Sequence, residues 1–514
     1  MDPLLTRART PSQRRWDAIV VGTGVGGAVT AGLLAHDAAR VLVLEKNDAP
    51  GGILASYTRD GFKVDTGSHL VSRGAHGPLG AVLRRLGLRE PRFLTHRIPV
   101  RSRGIFQITA PPTRWGLPAV ALEAARALKL PRRDALRLAR MMFQVFTLTE
   151  FELRALDRKT LDEFVRESTE HPGAYFLFSF LASIFFVLPP WQVSAGEAIR
   201  CLRWILADYS LSYIEGGMDA FTRAVLGRVV AGGGEVVTRA RVARIAPRAG
   251  GFVVTTADGA EAEATVVACN LAPVDLIPLV EAGALPEEWI ARARAVRPSG
   301  SAHQVKLALK RPLVEEGCLI GGVSLSGLGL EDLSIDLMRS TVDAIDAGRV
   351  SDPLAVYAPV PTNYDPSLAP PGRQLIVASI YGPTRSDPAD PPHVWREAAM
   401  RALASIIPGL EDELLWSEFM PVPAVGGWMG KSQRGAICNG QFPGQVGRDR
   451  LPVATPLDGL FLCGDGAGGR GVGTELAAVS AMEAARAMRT ILARHATIRR
   501  AAPTRAPVAV EAAS

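Results

Sequence analysis

Residues 17–46 run DAIVVGTGVGGAVTAGLLAHDAARVLVLEK, and no other stretch limits the fold so tightly. Ala18–Val21 is a short apolar, largely β-branched run suited to a buried parallel strand. It breaks at Gly22-Thr23-Gly24-Val25-Gly26-Gly27, a helical apolar pattern follows through Ala28, Ala31, Leu34 and Ala35, and a second apolar run, Val41–Leu44, ends in Glu45. Strand, glycine turn, helix, strand and acid in this order form a dinucleotide-binding fingerprint. Gly22 permits the tight turn, Gly24 lets backbone N–H groups approach a pyrophosphate, and Gly27 lets the helix lie close on the strand, with Gly26 in the same turn. The helix N-terminus then turns its partial positive charge towards the phosphates. Glu45, about twenty residues on, is placed to accept hydrogen bonds from an adenosine ribose, and its charge disfavours a 2′-phosphate. Lys46 follows directly. A glycine turn that merely packs a helix explains the loop alone, but leaves both strands and the acid in register unexplained.

At 514 residues the chain exceeds what one core normally holds, and 47% hydrophobic with 21% charged residues describes a globular protein. Asp60-Gly61 centres a hairpin over Tyr57–Val64. Trp115–Phe146 and Thr160–Trp204 are helix-rich. Short strand-like runs return at Glu235–Val237, Arg241–Ile245, Phe252–Thr256 and Thr265–Cys269, as though the first domain resumes after an insertion. Ser301–Leu309, Ala355–Val360 and Leu375–Tyr381 predict a second sheet carrying a helix over Val394–Ile407. Gly459–Asp465 is a strand ending in Gly-Asp, and a glycine-rich turn leads from it into a helix over Glu475–Ala493. The predicted fold class is α/β. A Rossmann-type domain is split over residues 16–78, 213–275 and 456–496, with a helical region at 79–212 and a mixed-sheet substrate domain at 276–455. Residues 1–15 and 497–514 are Arg/Pro/Ala/Thr-rich and aperiodic, so a disordered arm and tail are expected.

The formal charge of +7 sits mainly at the chain ends and between Arg84 and Arg103. No Lys/Arg cluster is interleaved with aromatics, so no nucleic-acid partner is expected, while contact with an anionic membrane surface stays open. Five scattered cysteines without a CxxC pair argue against a disulfide framework or a metal site and for a reducing, cytoplasmic compartment. The first sixteen residues lack the apolar core of a signal peptide, and no run reaches the length of a membrane-spanning helix. The most apolar stretch is Ala174–Trp191. Its Phe176, Phe178, Phe180, Phe185 and Phe186 are too dense for a one-sided helix. A core helix and an apolar substrate tunnel, peripheral to a membrane, both fit. The stretch holds no carboxylate for a cationic amine, which favours an uncharged lipophilic substrate.

Further segments join the fingerprint: Pro50-Gly51-Gly52, FKVDTGSH at 62–69, YIEGGMDAFTRAV at 213–225, the strand holding Val242, and GLFLCGDGAGGRGVGTELAAVSAMEAAR at 459–486. Together they resemble the FAD-dependent amine oxidase and phytoene desaturase superfamily over nearly the whole chain. The resemblance implies a glutathione-reductase-like FAD domain holding the cofactor noncovalently. By it, Gly51 and Gly52 approach the pyrophosphate, and Val242 offers main-chain hydrogen bonds to adenine. Gly464 and Asp465 bind the ribityl and phosphate portion, and Gly67, Ser68, Gly473 and Thr474 complete the set. An acid after a buried strand, ahead of a glycine turn and a helix start, suits sugar hydroxyls on its own chemistry; an ordinary helix cap is the alternative. Ile53 departs from the pattern, since many members carry arginine there. Gly471-Val472-Gly473-Thr474-Glu475 is nearer the amine oxidases than the desaturases.

Three side chains are candidates for the chemistry. Lys306 falls where amine oxidases place a lysine that holds a water at flavin N5, or is a solvated strand residue. His69 is a proton relay beside the flavin or a packed turn residue. Glu475 is a base above the flavin or an acid placed by the helix dipole. No second GxGxxG opens a helix after a buried strand, so no nicotinamide domain is expected and oxygen, a quinone or another acceptor reoxidises the flavin. The expected activity is hydride transfer to flavin N5 from a lipophilic substrate, in desaturation, isomerisation or saturation of an isoprenoid or polyene. An amine oxidase on the same scaffold and a non-catalytic FAD-retaining protein are the alternatives.

Overall fold

The computed structural model describes residues 14–67, 70–98, 100–103, 130–172, 184–207, 211–322, 334–351 and 354–501, with Leu4, Pro11, Ser12, Arg126, Tyr175 and Ala182 besides. Strand β1 (Arg15–Val21) leads through the glycine turn into α1 (Val25–His36) and β2 (Val41–Leu44). The hairpin β3 (Ser56–Arg59) and β4 (Phe62–Asp65) turns on Asp60 and Gly61, at φ 51° and 81°. Both left-handed values are what a two-residue turn needs to match the strand twist. After β5 (Val71–Ser72), α2 (Pro78–Arg85), β6 (Phe93–Thr95) and β7 (Arg101–Arg103) comes a helical lobe. It comprises α3 (Arg132–Thr147), α4 (Glu150–Leu156), α5 (Leu161–Arg166) and α6 (Ala195–Ala207).

The chain returns through β8 (Leu211–Ile214) and α7 (Asp219–Ala231) to β9 (Glu235–Val237), β10 (Val242–Arg248), β11 (Gly251–Thr256) and β12 (Glu261–Cys269). A second sheet takes β13 (Ser301–Leu309), β14 (Cys318–Gly322), β15 (Ala355–Pro359) and β16 (Gln374–Gly382), then α8 (Pro392–Ile406) and β17 (Leu414–Met420). Helix α9 (Val422–Met429), strand β18 (Leu460–Leu462) and helix α10 (Gly473–Ala501) finish the described chain. Helix α10 thus runs past its expected end at Ala493 and takes in residues 497–501 of the expected disordered tail.

The first sheet has the order β10-β11-β12-β1-β2-β9, with β18 beside β12. Its central strands are parallel, and one register row crosses them: Val237, Leu44, Val21, Cys269 and Leu462 are neighbours. These strands therefore finish at one level, and the residues after them, Gly22, Glu45, Asn270 and Cys463-Gly464, share one edge. Ligands of open α/β sheets bind at such an edge. Alternation along the strands supplies two cores. Ala18, Val20, Val41 and Val43 face α1, α7 and α10, while Ile19, Val21, Leu42 and Leu44 face a layer holding Val254 and Trp289. The second sheet, β17-β13-β16-β15-β14-β7, is antiparallel except for β14–β7 and packs its β13 face, Val305, Leu307 and Leu309, beneath α8.

Candidate active site

The shared strand edge explains the glycines. A Cβ on Gly27 would lie 1.9 Å from the Gly22 carbonyl oxygen, so only glycine lets α1 sit so close to its own strand. A Cβ on Gly26 would lie 2.5 Å from Gly464 Cα, so the first and last glycine turns touch backbone to backbone. The Asn270 side chain stands between them, within 2.6 Å of a Cβ on Gly24 and 2.3 Å of one on Gly464. Asn270 was legible only as a strand end; its place between two turns is a product of the register row. Glu45 is buried at the end of β2 and accepts from Thr23 N at 2.9 Å, Thr23 Oγ1 at 2.5 Å and Asn47 N at 2.9 Å. Thr23 Oγ1 in turn accepts from Gly51 N at 3.0 Å, which ties the Gly51–Gly52 turn to the first one.

Helix α9 lies over this edge. Trp428 Nε1 donates to the Gly52 carbonyl at 2.9 Å, and Lys46 Nζ donates to the carbonyls of Gly427 and Trp428 at 3.0 and 2.6 Å. Lys46 thus neutralises the C-terminal end of α9, although burial lowers its pKa despite the neighbouring Glu45. Just beyond the helix, Lys431 Nζ pairs with Asp465 Oδ2 at 3.2 Å, and Cys438 N donates to the same oxygen at 2.9 Å. Burial works against the Asp465 charge, but Lys431 and the Cys438 amide prevail and hold its pKa below the usual carboxylate value. Ile53, where a cation was missing, packs against the first core instead. Val242 opens β10 at a bulge before Arg244, with its side chain buried. Gly67 is buried after β4, while Ser68 and His69 lie outside the described residues.

Gly473 begins α10 in open surroundings at φ 55°, followed by half-buried Thr474. Glu475 is buried and held by Arg73 at two points, Nε to Oε1 at 3.1 Å and Nη2 to Oε2 at 2.6 Å. Burial still raises the Glu475 pKa against that guanidinium. Arg73 also lies 5.1 Å over the Trp204 ring of α6. The preceding turn is tied to the helical lobe by buried charges. Glu197 accepts from Arg470 Nη1 at 2.5 Å and Gly471 N at 2.7 Å, and Asp157 accepts from Arg470 Nη2 at 2.8 Å and Arg200 Nη1 at 2.6 Å. Breaking one partner of such a buried set costs several kcal/mol, because the remaining charge stays in low dielectric.

Within the helical lobe an apolar cavity is lined by residues including Val145, Phe164, Phe185, Ala198, Cys201 and Ile205. Trp204, one turn on from Cys201 in α6, lies 3.8 Å from a Cβ on Gly471, and Val472 packs against the core of the lobe, so the cavity wall adjoins the start of α10. Of the expected apolar stretch, Tyr175, Ala182, Phe186 and Leu188 are buried in this lobe; Phe176, Phe178 and Phe180 lie outside the described residues. Lys306 lies on the second sheet. It is fully buried on β13, 3.6 Å from Glu418 Oε1 and 5.2 Å from the centre of the Tyr57 ring. Burial lowers its pKa against Glu418. Among the described residues no hydrogen bond or ion pair joins Lys306 to the glycine turns. All five cysteines are buried and none forms a disulfide.

Three glycine turns meeting at the ends of parallel strands, with a buried acid at Glu45 and a half-buried one at Asp465, define a dinucleotide-dependent enzyme of the two-sheet flavoprotein class. The family model for flavin containing amine oxidoreductases matches residues 25–489, and the chain belongs to that family. Among curated proteins it is similar to a chloroplastic prolycopene isomerase of Daucus carota, 53% identical over 58 residues, which are 11% of this chain and 9% of the relative. It is also similar to an all-trans-retinol 13,14-reductase of Rattus norvegicus, 41% identical over 64 residues, 12% of this chain and 10% of the relative. The chain thus matches about a tenth of the length of these relatives. The solved structure of cyclohexylamine oxidase from Brevibacterium oxydans shares the fold, with a TM-score of 0.60 and 18% identity over 94% of this chain and 99% of that one.

FAD is the cofactor, and the residues present fit it. The cradle where Gly26 meets Gly464 has no room for a Cβ, the Gly473 start of α10 is open, and buried Glu45 and half-buried Asp465 put acceptor oxygens at either turn. The protein is an FAD-dependent oxidoreductase. No helix among the described residues is long and apolar enough to cross a membrane.

Proposed function

We propose that this oxidoreductase acts on the carbon framework of an uncharged lipophilic substrate, an isoprenoid or polyene, by desaturation, isomerisation or saturation. The observation that carries the reading is the apolar lining beside the start of α10: the side chains around it, Val145 through Ile205, include no charged one, and the small cavity they enclose, about 30 Å³, would widen to admit a lipophilic chain. The segmental likeness to an isomerase of one polyene and a reductase of another supports the same substrate class. When bound, the flavin supplies hydride acceptance or donation. The chain's own part is to bind and dry the substrate. Phe164, Phe185 and Ile205 exclude water, which strengthens every electrostatic contact at the reacting end. Arg73 holds Glu475 at the edge of this space, where a raised pKa suits a carboxyl that takes or returns a proton from a carbon next to the one giving hydride.

The buried Lys306 keeps an amine oxidase as a second reading, since a lysine in that sheet is the feature those enzymes share by resemblance. Against it stands the absence of a carboxylate among the cavity's described lining residues. The deciding experiment mixes the FAD-loaded protein, without oxygen, with polyenes and separately with primary amines while the visible flavin band is followed. Bleaching by a polyene, lost in Ala198→Phe with colour retained, is the expected result. Reoxidation of chemically reduced protein by a polyene would mark the saturating direction. Bleaching by an amine favours the second reading; a shift in the polyene's own absorption bands with the flavin band unchanged marks isomerisation, and no change in either leaves a flavin-retaining protein without catalysis.

A further inference from the structure

Among the described residues six large apolar side chains stand exposed, and four of them fall on α3 and the start of α4: Leu136, Phe143, Phe146 and Phe151. Their exposures of 73%, 68%, 46% and 84% are far beyond what incidental surface residues need. Leu136, Ala139, Phe143 and Phe146 are spaced three, four and three, so they form one stripe along α3. The opposite stripe, Leu138, Met141 and Val145, is buried in the helical lobe. Helix α3 therefore carries two apolar stripes and the lobe covers one.

Beside the outward stripe runs a basic row. Arg133, Arg137 and Arg140, spaced four and three, are all exposed, as is Arg132 at the helix start. Among the described residues Arg133 and Arg140 make no ion pair. The neighbouring carboxylates are already engaged: Asp134 with Arg137 at 3.5 Å, Glu150 with Arg200 at 3.0 Å and Arg154 at 3.4 Å, and Glu152 in a capping box with Thr149. The outward face thus joins aromatic side chains to unneutralised guanidinium groups.

We propose that this face of α3 and the start of α4 docks on an anionic lipid bilayer. The phenylalanines and Leu136 enter the boundary between headgroups and acyl chains, and the arginine row meets the lipid phosphates. Charge favours this occupant over a second copy, because an antiparallel two-fold contact would set the arginine row against itself. The inward stripe of the same helix brings Val145 to the wall of the apolar cavity, so the docking face and the cavity are one helix thickness apart. The surface is inferred from its own residues and does not rest on the substrate reading.

Flotation of the FAD-loaded full chain with vesicles tests it, using phosphatidylcholine alone or with about one-third phosphatidylglycerol. The protein is expected to float with the anionic vesicles, less so at high salt, and to stay behind with the neutral ones. The triple variant R133Q/R137Q/R140Q lowers partitioning about a hundredfold, at about 1 kcal/mol for each basic residue near the surface. Phe143→Ser with Phe146→Ser lowers it while thermal midpoint and flavin content stay at parent values. Absence of parent flotation overturns the inference, and so does undiminished flotation of these variants. It is equally overturned if sedimentation velocity shows the Phe variants splitting a dimer while vesicle binding is unchanged. Flotation without any polyene response would keep the docking face and remove the substrate reading.

Discussion

Arg73 and Glu475 meet as a two-point ion pair although 402 positions separate them, and the Arg73 guanidinium also covers Trp204. One side chain therefore joins the first turn of α10 to helix α6 of the helical lobe. Arg73→Met leaves a buried carboxylate without its cation, a loss of about 3 kcal/mol. Burial already lifts Glu475 above the ordinary 4.5, and without Arg73 it rises further. A carboxyl whose folded value exceeds its unfolded one binds protons preferentially in the folded state, so stability falls as pH rises through that window. The deficit of the variant is then small in acid, where the carboxyl is protonated in both proteins, and grows as pH passes the parent's folded value. Thermal midpoints of both proteins from about pH 4 to about pH 8 measure this. A constant gap would mean that the guanidinium acts by packing alone.

Gly26→Ala places a methyl group 2.5 Å from Gly464 Cα and 2.6 Å from both Gly464 N and Asn270 Oδ1, where backbone cannot give way. The variant should purify colourless or fail to accumulate. The ratio of flavin to protein absorbance checks it; full occupancy would show that the two turns need not touch.

Glu45→Gln replaces a carboxylate that accepts three hydrogen bonds by an amide whose nitrogen must face a donor. Leaving a buried donor unsatisfied costs about 1–3 kcal/mol. FAD affinity, titrated on the apoprotein by fluorescence, should fall tenfold or more. An unchanged affinity would remove Glu45 from the cofactor site.

Lys306→Met tests the second reading of the chemistry. A lysine whose folded pKa lies below its ordinary 10.5 costs stability as pH falls through that interval, so the neutral side chain should melt at or above the parent near neutral pH. Glu418 keeps Tyr57 and Arg59 as partners at 2.8 and 3.2 Å. Turnover of a polyene should stay within about twofold, since no interaction unique to that transition state is removed. A large drop in rate with intact folding would give Lys306 a place in the chemistry.

The opening fingerprint was legible because its cues are local. Val41–Leu44 and Ser301–Leu309 are strands over the bounds expected of them, and Asp60-Gly61 turns the predicted hairpin. Strand β17 escaped notice since all its residues are half-buried or exposed, which blurs the alternation of its edge position. Helix α9 was hidden by Gly426-Gly427, poor helix formers whose place is decided by packing on the Gly51–Gly52 turn. Nothing local marks Lys431 as the partner of Asp465, Arg73 as that of Glu475, or Asn270 as the spacer between two turns. Those relationships arise only when the register row brings distant strand ends level.

Glu197 spends both carboxylate oxygens on the 470–471 turn while belonging to the helix that walls the apolar cavity. A displacement of that wall must drag the cradle of the cofactor with it, and by thermodynamic reciprocity an occupied cradle stiffens the wall. On the proposed reading colour and cavity shape are therefore linked: whatever loosens the grip on the flavin also blurs the choice of guest.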